Sequence, residues 1–597
     1  MRRPQIDKFL SFVLLSALSA CTAQQTASSA DSTSTTGSSP ASTDAAIAAS
    51  PGHSWDHGGM VSVANPYAAK AAAEVLRRGG HAVDAAIAAH TVLGLVEPQS
   101  SGIGGGAFML VFDATNDTLT AYNGRERAPA SATAELFKAA DGSTIGFREA
   151  WQGGVSTGVP GSVALYKAAH DAHGTLQWAE AFEPAIKLAT EGFEVSPRLA
   201  GFLPRIAAFG RLDEDPASAA YFYPDGTPLA TGDLRDNPDY AATLTAIAKE
   251  GPAAFYNGDI AEAIVAATQG DPLPGSLTLA DLKNYRASAS KAVCQQSLDI
   301  RLCTAPPPSS GLAAIAMVAL YDLLVPADPS EADRLSALVD AQRLAYADRD
   351  HYIGDPEFGP VPSADLLDPA YLSARATERF APDATPMPGD PGAVLRNEPL
   401  LNAFAADRPT EVSSTTHLSI IDKNGNAVAL TASVEAPFGN SRFVRGFLLN
   451  NQLTDFRRDA DGLAHANAPA ARKQPRSSMS PLMVFDEAGN LKLVTGSPGG
   501  NSIIAYVAKS VIASLRWGLT DSEAVALPNI VARGEKVRVE TADNRGKSMA
   551  AELRKLGYDV QEREGENSGL HQIQVGTEGL TGAADPRREG QVIAVPN

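Results

Sequence analysis

From Ala82 to Val96 the sequence is apolar almost all round a helical wheel. A helix there needs neighbours on every side, so it belongs inside a layered protein and not on its surface. His90 falls within it and is expected to be structural. The element before it is bounded as helices are: Asn65-Pro66 opens the pattern, Ala68 to Arg78 continue it, and Gly79-Gly80 end it. Phe108 to Phe112 reads as a buried strand. Helical patterns follow at Ser162 to Ala172, Gln177 to Thr190, Tyr240 to Lys249 and Glu331 to Asp348. Beyond Thr415 the period changes: Thr416 to Ile421 and Ala427 to Val434 read as strands joined through Asp422-Lys-Asn-Gly-Asn426, and Asn-Gly is a strong hairpin signal. Strands at Leu482 to Phe485 and Leu491 to Thr495, with a helix from Ile503 to Leu515, predict an α/β protein in which sheet is covered by helices.

The 597 residues carry a net charge of −19, too acidic to neutralise nucleic-acid phosphates, so nucleic acid is not an expected partner. The first segment has Arg2, Arg3 and Lys8 ahead of an apolar run from Phe9 to Ala20, which reads as an export signal over residues 1–20. The run is shorter than the roughly 20 residues that a hydrocarbon core demands. Leu18-Ser-Ala-Cys21 resembles a bacterial lipoprotein box, which makes Cys21 a lipid anchor and the lipid the expected membrane contact. A plain secretory signal is the alternative. Thr22 to Ser50 contain no aromatic, Lys or Arg residue, so residues 21–50 form an anchored, disordered tether. Export also puts Cys294 and Cys303 in an oxidising compartment. The segment between them can turn back as a hairpin, which predicts a local disulfide, with two free thiols as the alternative.

Several motifs offer chemistry and do not support it. Gly102-Ile-Gly-Gly-Gly-Ala107 has dinucleotide-loop spacing, but a strand follows where that mechanism needs a helix N-terminus. Close backbone packing explains the glycines better. Gly154-Val-Ser156-Thr-Gly158 matches a nucleophile elbow without the strand that must precede one. His170 and His173 lack a third ligand, so no metal is expected. Ser413-Ser-Thr-Thr-His417 is more informative. A hydroxyl residue at the head of a strand becomes nucleophile and base together if the chain is cut before it, because its freed α-amine has a pKa of about 7.7–8.0.

With these residues in view, the sequence resembles the γ-glutamyltransferase (glutathione hydrolase) family of N-terminal-nucleophile hydrolases from about Gly59 to the C-terminus. The resemblance is carried by Gly79-Gly-His-Ala-Val-Asp84, Ser101-Gly-Ile-Gly-Gly-Gly106, Gly124-Arg-Glu126, Pro306-Pro-Pro-Ser-Ser-Gly311, Thr415-Thr-His-Leu-Ser419, Leu448-Leu-Asn-Asn-Gln452, Ser477-Ser-Met-Ser-Pro481, Gly496-Ser-Pro-Gly-Gly500 and Asp585-Pro-Arg587. It implies a four-layer αββα sandwich and a precursor that cuts itself between Ser414 and Thr415. The products would be a large subunit over residues 51–414 and a small catalytic one over 415–597. By the same resemblance, Thr415 is the nucleophile and the N–H groups of Gly499 and Gly500 form the oxyanion hole. Arg125, Ser477 and Ser478 hold the α-carboxylate of a γ-glutamyl donor, Gln452 and Asp455 its α-ammonium, and no cofactor is needed. Guanidinium and hydroxyls suit an anion, and a carboxylate suits a cation.

The chain departs from better-known members at Ser433-Val-Glu435, where they carry a threonine that supports the nucleophile and then an asparagine. Serine keeps the hydroxyl. A two-residue Asn424-Gly425 loop would pair Thr415 with Val434, whereas a one-residue bulge pairs it with Ser433, and we expect the bulge. Glu435 adds a second carboxylate near the ammonium site. Only Phe456 to Arg476 separate Asp455 from Ser477, which implies an open site without a lid. The expected reaction is transfer of a γ-glutamyl group, from glutathione by default, to water or to an amino acid or peptide. One alternative is a glutaryl or cephalosporin-type acylase of the same family, in which Asp455 and Glu435 would face no cation. The other is a lipid-anchored binding protein without catalysis.

Overall fold

The computed structural model describes residues 58–407, 414–459 and 463–596. The export signal, Cys21, the tether and Ser413 lie outside them. Among the described residues no helix is long and apolar enough to cross a membrane.

Two antiparallel sheets form the middle of the molecule. The first has seven strands in the order Gln591–Pro596, Gly58–Val63, Thr416–Ile421, Ala427–Ser433, Gly106–Asp113, Thr118–Gly124 and Ser288–Lys291. The second has six: Gly579–Ala584, His571–Gly576, Leu491–Gly496, Leu482–Asp486, Ile300–Thr304 and Val293–Ser297. Strand periodicity sorts the side chains. Met109, Val111, Leu418, Leu430 and their same-face neighbours join a core with Val83 and Ile87 of the Ala82–Val96 helix. Phe108, Leu110 and Ala429 face the other way, into a core with Val484, Leu493 and Ile504. Helices including Pro66–Arg77 and Ala82–Val96 thus cover the first sheet. Gly311–Leu324 and Ile503–Leu515 cover the second, with Glu331–Tyr352 packed against Gly311–Leu324, which gives the four-layer αββα sandwich.

The Ala82–Val96 helix is buried at every position, and His90 Nδ1 meets the Tyr166 hydroxyl at 2.5 Å. The preceding helix, Pro66–Arg77, is capped by Asn65 and followed by Gly79 at φ +86°. One helical segment differs from its sequence pattern: Gln177 to Thr190 is a 3-10 turn, Trp178–Phe182, followed by the helix Glu183–Glu191. Pro184 near the start of that helix has no N–H to give the turn before it, which disfavours one continuous helix across this point.

The hairpin register decides the site. Thr416 pairs with Ala432 and Ile421 with Ala427, so the next step sets Thr415 opposite Ser433. The turn achieves this with Gly425 at φ +85° and with an Asp422 N–H that donates to Asn426 O at 2.9 Å, the geometry of a bulged three-residue loop. Across the second sheet, Cys294 pairs with Cys303 and the two sulfurs are bonded. Ser156 is buried in a 3-10 turn, donating to Gly153 O at 2.8 Å, and is not displayed on an elbow.

Candidate active site

A small cleft opens at the head of the Thr416–Ile421 and Ala427–Ser433 strands. Arg125, Ser414, Thr415, Ser433, Glu435, Gln452, Asp455, Ser477, Ser478 and Gly500 all line it. The sequence distributes these residues over 376 positions of chain only apparently at random: each sits where a strand or turn ends at the same edge of the sandwich. Arg125 follows the Thr118–Gly124 strand, Gln452 and Asp455 lie on the 3-10 turn Gln452–Asp455, and Ser477 and Ser478 precede the Leu482–Asp486 strand.

The Thr415 hydroxyl hydrogen-bonds to the carbonyl oxygen of Ser414, the residue before it. Its oxygen also lies 3.2 Å from Ser433 Oγ, which is itself 3.3 Å from the same Ser414 carbonyl. The Glu435 N–H donates to Ser433 Oγ at 2.9 Å, which fixes that rotamer. Ser414 Oγ is turned away, to the carbonyl of Gln99. Arg588 Nη1 donates to Thr415 O at 2.8 Å and so holds the backbone of the residue whose side chain faces the bond.

Arg125 is fully buried. Its Nε and Nη2 donate to the carbonyls of Pro475 and Arg476 at 3.1 and 2.8 Å, and Nη2 also meets Asp455 Oδ2 at 2.6 Å. Gln452 Nε2 donates to the same carboxylate oxygen at 2.7 Å. The sequence reading gave Arg125 and Asp455 opposite ends of one ligand, whereas the structure also pairs them with each other. Each thereby offsets the desolvation of the other. Glu126, behind them, is raised by burial to about 7 against the opposing pull of Arg125, 3.4 Å away.

Glu435 has φ +79° and accepts from Asn451 Nδ2, so its carboxylate is held at the wall of the cleft. Gly499 and Gly500 have φ of +142° and +58°, values that aim successive N–H groups in directions few other residues allow. Ser477 Oγ accepts from Met479 N at 3.2 Å, and Ser478 Oγ from Arg349 Nη2 at 2.6 Å. Arg349, Arg588, Asn451 and Glu126 were not given roles from sequence. Glu126 and Asn451 sit inside motifs that carry the resemblance, and Arg588 follows one. Arg349 lies near the end of the Glu331–Tyr352 helix and has no sequence signal.

Away from the cleft, His170 Nε2 meets Leu176 O at 3.1 Å and His173 Nε2 the Tyr122 hydroxyl at 2.9 Å. Among the described residues no group of three or more His, Cys, Asp or Glu side chains is arranged to hold a metal ion.

Residues 68–595 match the family model described as Gamma-glutamyltranspeptidase. A glutathione hydrolase proenzyme of Bacillus subtilis is 33% identical over 547 residues, covering 90% of this chain and 91% of its own. One of Escherichia coli is 35% identical over 552 residues, covering 89% and 90%. A cephalosporin acylase structure from Bacillus halodurans superposes with a TM-score of 0.79 at 27% identity, covering 91% of this chain and 96% of the acylase.

Proposed function

The chain belongs to the gamma-glutamyltranspeptidase family and is an enzyme of the N-terminal-nucleophile hydrolase class, and on that premise we propose that Thr415 is both its self-cleavage residue and its catalytic nucleophile. In the precursor, Thr415 Oγ attacks the Ser414 carbonyl carbon and the peptide C–N bond breaks. The resulting Ser414 ester is hydrolysed by water, leaving the small subunit 415–597 with a free α-amine. That amine, with an ordinary pKa of about 7.7–8.0, takes the Thr415 Oγ proton in turnover. Oγ then attacks the γ-carbonyl of a γ-glutamyl amide, with the oxyanion received by the N–H groups of Gly499 and Gly500. The ammonium returns the proton to the departing amine. Water or the amine of an amino acid or peptide then resolves the γ-glutamyl ester on Thr415.

In this reading Ser433 supports the Thr415 hydroxyl. Arg125, Ser477 and Ser478 receive the donor α-carboxylate, and Gln452, Asp455 and Glu435 receive its α-ammonium. Glutathione is the expected donor. The observation that carries the reading is the Thr415 hydroxyl against the Ser414 carbonyl within the cleft that Arg125 and Asp455 line. Intact mass and N-terminal sequencing after prolonged incubation test it. Two fragments, the smaller beginning at Thr415, are expected, and a single uncut chain with full turnover of a γ-glutamyl amide would overturn it.

The likeness to a cephalosporin acylase favours one rival, an acylase acting on glutaryl-type amides. Asp455 and Glu435 argue against it, since two carboxylates on the cleft wall suit a donor that brings an α-ammonium better than one that brings none. Turnover of a glutaryl anilide above that of the γ-glutamyl anilide would reverse the choice. We also propose that residues 1–20 direct export, that Cys21 carries lipid and that the enzyme works in the periplasm on its tether. Cys21→Ala should move the protein from the membrane to the soluble fraction.

A further inference from the structure

Ser502 and Tyr506 stand one helical turn apart where the helix Ile503–Leu515 begins, just after the glycine pair Gly499-Gly500, so their side chains share a face. Gly499, at φ +142°, lies against the aromatic ring: a Cβ built on it would come 2.5 Å from Tyr506 Cε2. Glycine is thus required there twice, by backbone conformation and by space. Tyr506 is only 1% exposed, so its ring is a fixed wall behind the glycine.

One charged pair reaches both side chains. The Tyr506 hydroxyl donates to Glu566, whose carboxylate also accepts from Arg538 Nε and, at 3.1 Å, from Arg538 Nη2. Arg538 Nη2 donates as well to Ser502 Oγ at 2.5 Å. Burial first, then the Glu566 carboxylate, hold the Tyr506 phenol well above its ordinary value, so it keeps its proton and donates. Arg538 comes from the strand Val537–Glu540, in a three-stranded sheet separate from the two main ones. The Tyr346 hydroxyl donates to Asn501 O at 2.6 Å. The turn Gly500–Ser502 is therefore held at each of its last two residues, and Gly499 by the ring.

We infer that Tyr506 and Ser502, joined through Glu566 and Arg538, are positioning residues that hold the Gly499 and Gly500 N–H groups ready for the oxyanion. The inference rests on the reading of those N–H groups as the oxyanion hole and of Thr415 as the nucleophile. Gly500 lines the cleft and Tyr506 and Ser502 do not, so their effect passes through the glycine backbone. Donors fixed in advance need no reorganisation when charge develops, and a loosened turn loses that advantage. Loosening it should slow the steps that build charge on the carbonyl oxygen and spare recognition of the donor's amino-acid end.

The test uses mature wild type, Tyr506→Phe and Ser502→Ala, which break opposite ends of one chain of hydrogen bonds and leave the ring and the charged pair in place. Each variant should lower kcat for γ-glutamyl-p-nitroanilide about fivefold, the size expected for one lost hydrogen bond, with KM nearly unchanged. The double variant should lose about as much as either alone, because one chain is broken in both. A second readout is inhibition by the analogue of glutamate in which a boronic acid replaces the γ-carboxyl group. Thr415 Oγ adds to boron, its proton passes to the α-amine, and the tetrahedral boronate carries the negative charge into the hole. Its inhibition constant should rise by the same factor in each variant, while that of L-2-aminobutyrate, which carries a hydrogen in place of the boronic acid, should not move. A raised KM with kcat unchanged, equal weakening of both inhibitors, or single losses that multiply in the double variant would overturn the inference and leave the network merely structural. Should one variant fail to mature, the other carries the same comparison. A wild type that binds the boronic acid no more tightly than L-2-aminobutyrate overturns the oxyanion-hole reading and this inference together. Variants that match wild type in kcat and in boronic acid inhibition overturn this inference alone.

Discussion

At the scale of single residues, Ser433 is the member of the site with the least room for replacement by anything without a hydroxyl. Its Oγ lies 3.2 Å from the Thr415 hydroxyl and accepts from the Glu435 N–H while facing the Ser414 carbonyl. Ser433→Ala should slow both self-cleavage and turnover by about tenfold, the worth of one good hydrogen bond to a reacting group, while Ser433→Thr should keep both near wild type. Equal rates for the alanine variant, read by the appearance of the small subunit on a gel and by anilide release, would show that Thr415 needs no such support. Asp455 poses a different problem, because it partners buried Arg125 at 2.6 Å. Asp455→Ala leaves a buried guanidinium without its nearest carboxylate, so it should cost about 3 kcal/mol of stability as well as donor affinity. An unchanged urea midpoint would contradict that. Here the sequence supplied residue types, and it was the family resemblance that assigned a guanidinium, hydroxyls and carboxylates to the two ends of a donor. It was silent on which of them touch one another. Pairing of Arg125 with Asp455, and of Ser478 with Arg349, follows from where distant chain segments end, and no local pattern encodes it.

At the scale of elements, the hairpin shows what periodicity can and cannot deliver. The strands Thr416–Ile421 and Ala427–Ser433 were legible from alternation and Asn-Gly, but the choice between Ser433 and Val434 as the partner of Thr415 depended on one residue of turn geometry. The helix over Gln177 to Thr190 was legible only as helical, since a 3.6-residue pattern does not separate a 3-10 turn from the helix that follows it. The glycine run before the Gly106–Asp113 strand was read as close backbone packing, and its consequence can be tested. A Cβ on Gly105 would lie 2.1 Å from Ser433 O, a main-chain atom that no rotamer change can move aside. Gly105→Ala should therefore push the Ala427–Ser433 strand outward and carry Ser433 off Thr415. We expect a stability loss of about 2 kcal/mol together with slower self-cleavage. Gly201, in the helix Pro197–Phe209 with nothing within 4 Å of its missing Cβ, is the control. Gly201→Ala should leave cleavage alone and raise the melting temperature slightly. Matching melting temperatures for Gly105→Ala and wild type would mean that the strands have slack at this edge.

At the scale of the whole molecule, the sandwich holds a polar seam between its two sheets that hydrophobic patterning could not reveal, because its members alternate with apolar residues on ordinary strands. His417 Nδ1 meets Thr431 Oγ1 at 2.8 Å and Nε2 meets Ser419 Oγ at 3.1 Å, and Ser419 Oγ donates on to His571 O at 2.9 Å in the second sheet. His571 Nδ1 lies 3.3 Å from Ser62 Oγ. Burial pushes His571 down to about 3 and His417 well below the ordinary histidine value, so both are neutral in the folded protein. An unfolded histidine takes its proton near pH 6.5, so between there and the folded value the unfolded chain binds more protons and stability falls as pH falls. Glu126, raised by burial to about 7, runs the other way over part of the same range, because the folded protein is then the one that binds the extra proton. The wild-type curve therefore mixes opposite signs, and a difference curve isolates one group. His571→Gln removes the titrating ring and keeps a polar partner for Ser62. Whatever it costs at pH 8, that cost should stay constant down to about pH 6.5 and then shrink by about 1.4 kcal/mol per pH unit towards pH 4, measured as urea midpoints on the mature enzyme. Parallel curves across that window would mean that His571 titrates normally, and that the two sheets separate enough at this seam to admit water to the ring.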